Sequence, residues 1–180
     1  MSKNAGKTTA MNYVIKKHSP DTLALTSIGL DGETLDQITF LPKPKIHVFK
    51  GMIAATAKDT LKHANFSYRI LKDLNMPSAM GDILIIEILS EGNILLAGPT
   101  TKKELNKIIT SLKTMRLNIL VDGALNRKTF AATPLIDSIV LSIGASYHEQ
   151  MTLTLKAAVS LIHQLTLKRT AHYQQAPNMT

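Results

Sequence analysis

The chain has 180 residues, 44% of them hydrophobic, which is enough to bury one sizeable core. It contains no cysteine, which excludes a disulfide framework, a thiol nucleophile and a thiolate metal site, so a metal would have to be held by oxygen or imidazole, as magnesium is. The net charge of +8 raises the question of nucleic acid, but aromatics are 4% and the basic residues fall in short pairs such as Lys16-Lys17, Lys102-Lys103 and Lys168-Arg169, with no base-stacking ladder; a solvated basic surface or phosphate on a nucleotide is the more economical reading, and a nucleic-acid-associated protein stays as an alternative.

Apolar periodicity predicts alternating helices and strands. Ala10, Met11, Val14 and Ile15 give a first helix, opened by Gly6-Lys7-Thr8-Thr9 and ended by Ser19-Pro20, because the residue before a proline disfavours the helical region. A short strand follows at Leu23–Thr26, then the turn Gly29-Leu30-Asp31-Gly32-Glu33. Residues 46–56 read as extended, with a hairpin turn at Lys50-Gly51. Leu61, Ala64, Tyr68, Leu71 and Leu74 recur at helical spacing, and 75–81 reads as a loop. The run 82–89 and the strand 94–97, joined by Ser90-Glu91-Gly92-Asn93, predict an antiparallel hairpin.

Thr101 and Glu104 then form a capping box ahead of a helix with the stripe Leu105, Ile108, Ile109, Leu112 and Met115. Two strands of buried type follow, 119–121 and 139–141. A second capping box, Ser146 with Glu149, leads into a helix with Met151, Leu155, Ala158, Val159, Ile162 and Leu165 on one face. The expected organisation is a single α/β domain over 1–169, with a mainly parallel sheet flanked by helices, and a disordered tail over 170–180. No apolar run reaches the roughly 18 residues a membrane helix needs, and Met1-Ser2-Lys3-Asn4 does not have the form of a secretory signal, so a cytoplasmic protein with no membrane partner is expected.

Three clusters carry candidate chemistry. The first is Asn4-Ala5-Gly6-Lys7-Thr8-Thr9, which reads as the end of a phosphate-binding loop in which backbone amides wrap the phosphates, a lysine neutralises them and a hydroxyl holds Mg²⁺; a capped helix start with an incidental lysine is the alternative. Met1 stands where the first glycine of the full pattern belongs, and the strand that ordinarily precedes such a loop is expected to be missing. The second is Thr26-Ser27-Ile28-Gly29-Leu30-Asp31-Gly32-Glu33, where Asp31 and Glu33 read either as magnesium-side carboxylates or as a solvated turn. In the third, Asn118 to Arg127, a mostly apolar strand ends in Asp122, as a buried strand does when it delivers a carboxylate to magnesium; a turn-capping aspartate is the alternative. The six histidines show no ligand spacing, and Glu87 stands out as a carboxylate within an apolar run.

Together these three stretches resemble the small P-loop proteins associated with lysine 5,6-aminomutase as reactivase subunits. More broadly they resemble the P-loop class that contains dethiobiotin synthetase, whose Val-Glu-Gly-Ala stretch is similar to Val121-Asp122-Gly123-Ala124. The resemblance implies a P-loop NTPase fold, ATP or GTP with Mg²⁺, a homo-oligomer, and a cobalamin-dependent aminomutase or its reactivase as partner. It places Lys7 on phosphate, Thr8 on magnesium and Asp122 at the acid position, with Asp31 or Glu33 as a further magnesium-side carboxylate. It leaves the chain as a nucleoside triphosphatase or as an interaction subunit that has lost hydrolysis.

Overall fold

The structure, a computed structural model, describes residues 6–29, 45–115, 117–123, 136–144 and 148–166, with side chains through 164. The described residues divide into two compact units, one within Gly6–Ser142 and one within Ile143–Thr180. Within the first unit the elements run α1 (Lys7–Lys17), β1 (Leu23–Ser27), β2 (Ile46–Val48), β3 (Ile53–Ala57), β4 (Tyr68–Asp73), β5 (Ile83–Ile88), β6 (Gly92–Ile94), α2 (Lys102–Lys113) and β7 (Asn118–Asp122). The second unit holds α3, Met151–Thr166. No helix among the described residues is long and apolar enough to cross a membrane.

The first unit is built on a five-stranded sheet of order β4-β5-β3-β1-β7. β1 pairs in parallel with β3 and with β7, whereas β5 pairs antiparallel with β3 and with β4. The sheet is therefore mixed, and the expectation of a mainly parallel one is corrected.

Alternation along the strands separates two cores. Leu23 and Leu25 of β1 and Leu84, Ile86 and Ile88 of β5 face Met11 and Ile15 of α1, with β2 and β6 closing the same side. Ala24, Ile53, Ala55, Ile83 and Ile85 face Ile108 and Leu112 of α2 on the other. Burial on both faces explains why these strands read as unbroken apolar runs rather than as alternating ones.

α1 ends as its sequence requires. The His18 N–H bonds back to the Ile15 carbonyl, and Ser19 is extended ahead of Pro20. α2 carries the predicted capping box and buries Leu105, Ile108, Ile109 and Leu112, one face at spacings of three and four.

The predicted hairpins do not form, for a common reason. Each edge of β3 and β5 is already occupied by a neighbouring strand. The chain on either side of the Lys50-Gly51 turn therefore parts, β3 entering the large sheet while β2 pairs antiparallel with β6 in a small one. The strand predicted at 94–97 finds no edge on β5. Its Ile94 belongs to β6, and the Ala97 N–H donates to Thr56 Oγ1 at 3.0 Å.

The helical stripe from Leu61 to Leu74 is likewise replaced. Lys58–His63 is a 3-10 segment and Tyr68–Asp73 is an exposed edge strand. A stripe forms a helix when it has a face to bury, and here Ile70 and Leu71 remain exposed while the backbone satisfies the free edge of β5. Arg69 donates to Glu87 Oε2 through Nε at 3.0 Å, so the carboxylate in the apolar strand is half-buried and paired. Residues 139–141 form no strand, with Val140 69% exposed. Ser146, the tail 170–180 and Leu165's side chain lie outside what is described.

Candidate functional site

Gly6 is the N-cap of α1 and holds φ +82°, the left-handed region that favours glycine. The first helical bond runs from the Ala10 N–H to the Gly6 carbonyl at 2.9 Å. Among the described residues no side chain caps this end, and no acidic residue occupies its first turn. The leading amides of a helix cannot be satisfied within it and carry its partial positive charge, so an end left without a side-chain cap suits an anion. Lys7 and Thr8 are half-buried there, Thr9 is exposed, and Asn4 and Ala5 lie outside the described residues.

The direction of α1 places this end. Five residues connect Lys17 to Leu23, and Met11 and Ile15 pack on the same core as Leu23 and Leu25. A helix so tightly joined to the strand it covers must run antiparallel to it, which puts Gly6-Lys7-Thr8 at the carboxyl end of β1. α1 also packs against β7 and β2, with Asn12 accepting from the His47 N–H at 2.9 Å and donating to the Lys45 carbonyl at 3.0 Å.

β1 and β7 end together. Ser27 and Asp122 are register partners, and the Ile28 N–H donates to the Asp122 carbonyl at 2.9 Å. Leu25 and Leu120 pack into the α1-side core, so Ser27 and Asp122, each two residues further along, lie on that same face. Lys7, Thr8, Ser27 and Asp122 thus share one end and one face of the sheet. Asp31 and Glu33 lie outside the described residues. Sequence reading does not single out Ser27; the available signal is the polar pair Thr26-Ser27 closing an apolar strand.

Two glycines let the chain crowd around this end. A Cβ on Gly98 would sit 1.7 Å from the Ser27 carbonyl oxygen, and one on Gly123 would sit 2.9 Å from Ile28 Cγ2. Gly29, at φ +76°, donates its N–H to the Pro99 carbonyl at 2.8 Å, tying the end of β1 to the segment that enters α2.

α2 leads into parallel strand β7 by a short connection, so its N-terminus reaches the same end of the sheet from the other face. That terminus is already occupied. The Glu104 N–H donates to Thr101 Oγ1, and Glu104 Oε2 accepts from Thr101 Oγ1 at 2.7 Å. Of the two helix ends, α2 has a carboxylate of its own first turn on its cap, and α1 has none in its first turn.

Comparison with protein-family models, curated proteins and solved structures finds no match. The chemistry must therefore be judged from the residues. Among the described residues, no three histidine, aspartate or glutamate side chains are grouped to hold a metal ion. Magnesium bound with a phosphate ligand asks less, since it retains phosphate oxygens and waters and takes one or two protein oxygens. The Thr8 hydroxyl and the Asp122 carboxylate are donors of that kind.

Proposed function

We propose that this chain is a cytoplasmic, P-loop-type protein that binds a nucleoside triphosphate, ATP or GTP, together with Mg²⁺. The observation that carries the reading is the N-terminus of α1, which is led by a left-handed glycine and has no side-chain cap among the described residues, over a strand pair that ends in Asp122. In this reading the amides that open α1 receive the phosphate oxygens, Lys7 neutralises them, and Thr8 and Asp122 supply oxygen to the metal. When bound, Mg²⁺ would offset phosphate charge and fix its geometry. Hydrolysis, and service to a cobalamin-dependent aminomutase or its reactivase as a homo-oligomer, are carried by the resemblance alone.

Calorimetric titration with ATP, and separately GTP, with and without Mg²⁺ tests the reading. Saturable binding to the wild-type chain is expected. Lys7→Ala should weaken it by about tenfold or more, the scale of one charge-assisted contact. Asp122→Asn should reduce the affinity with Mg²⁺ toward that without it. No binding by wild type, or equal binding by Lys7→Ala, would sink the proposal.

A further inference from the structure

A groove of about 590 Å³ lies between the outer face of α2 and the chain leaving β4. It lies on the α2 face of the large sheet, whereas the α1 site lies on the other face. It is open to solvent, so a ligand there would be held by charge rather than by enclosure.

The groove is anchored from below. Leu74 and Met76 pack with Ile108 and Leu112 of α2. Between them Asn75 holds φ +48°, with its N–H donating to Asp73 Oδ1 at 2.8 Å. The walls are cationic. Lys103 and Lys107 stand one turn apart on α2, and Lys72 lines the groove from β4.

None of these three lysines makes an ion pair among the described residues, whereas Lys62 pairs with Asp59 and Lys113 with Asp137. Asp73 also lines the groove and keeps its charge while accepting from the Asn75 amide, so three lysines against one carboxylate leave the lining at a formal +2, and Glu104 belongs to the α2 cap. Like charges one turn apart work against a helix. Their placement opposite a third lysine, beside the hydroxyls of Thr110 and Ser111, keeps positive charge directed at one volume.

We propose that this groove binds a small organic phosphate bearing at least two negative charges. The ammonium groups of Lys72, Lys103 and Lys107 would neutralise it, and the Thr110 and Ser111 hydroxyls would supply neutral donors.

The test uses the full chain carrying Lys7→Ala, so that the α1 loop neither contributes to nor masks the result, with inorganic pyrophosphate as probe at near-physiological salt. Amide chemical shifts should move saturably at Lys72, Asn75, Lys103 and Lys107. Adding Lys103→Ala with Lys107→Ala should weaken binding by about tenfold or more. Lys16→Ala with Lys17→Ala, the same loss of charge on α1, should leave it unchanged. All four positions are exposed, and a dispersed amide spectrum reports that each variant is folded. Absence of saturable shifts in the groove would overturn the proposal, and so would equal weakening by both double substitutions, which marks general attraction to a basic surface.

Discussion

A single methyl group separates Gly98 from a steric impossibility, because the Ser27 carbonyl occupies the place its Cβ would take, at 1.7 Å. Neither partner can yield, since both are backbone and Ser27 is locked in register with Asp122. Gly98→Ala should therefore cost about 3 kcal/mol or more of stability, read from the shift of a urea unfolding midpoint. Gly123→Ala should cost less, near 1 kcal/mol, because the atom it meets is the movable Cγ2 of Ile28. A Cβ on Gly6 would meet nothing within 4 Å among the described residues, so there its backbone angle is what resists substitution. Of these, Gly6 can be read from sequence, because its meaning lies in the residues beside it. Gly98 cannot, because the carbonyl that forbids its side chain belongs to a residue far away in the chain.

At the scale of elements, the two helices that approach the carboxyl end of β1 and β7 differ in how their ends are closed. Thr101→Ala removes the side-chain acceptor of the α2 cap and should destabilise the protein by about 1 kcal/mol, measured by denaturant unfolding. A shift indistinguishable from zero would mean that the cap is replaced by water at no cost. Both helices, the end of α1 and this cap could be read locally, since stripe, cap and proline act within a few residues, whereas Met115 of the predicted stripe lies beyond the end of α2 and is exposed. β1 and β7 were equally legible, being short apolar runs closed by polar residues. Pairing was not. Ser90-Glu91-Gly92-Asn93 looks like a hairpin turn, but whether a strand can return alongside its neighbour depends on whether that edge is vacant, and β3 and β4 occupy both edges of β5. Tyr68 to Leu74 carried a helical spacing and became an edge strand because a long-range demand for backbone partners outweighed local preference. In the candidate site, Lys7, Thr8 and Asp122 were named from sequence, whereas their common face became visible only with the register of β1 against β7.

Across the molecule, protection is expected to be graded with the sheet. β1 and β3 are buried at every position, and β5 at all but Glu87, whereas β4 is exposed throughout. Amide hydrogen exchange should be slowest in β1, β3 and β5, approaching the rate of global opening, and faster by at least about an order of magnitude in β4. Equal protection of β4 and β3 would contradict this gradient. The two margins of the sheet also differ in character. β4 carries Arg69, Lys72 and Asp73, charges that discourage another strand from adding. β7 presents Ile119, Leu120 and Val121 on a strand with no ladder partner on its outer edge among the described residues. One margin is guarded by its own side chains, and for the molecule as a whole a charge of +8 adds repulsion between copies. That repulsion weakens over about 8 Å at physiological ionic strength, so salt governs how readily this protein meets itself in concentrated solution.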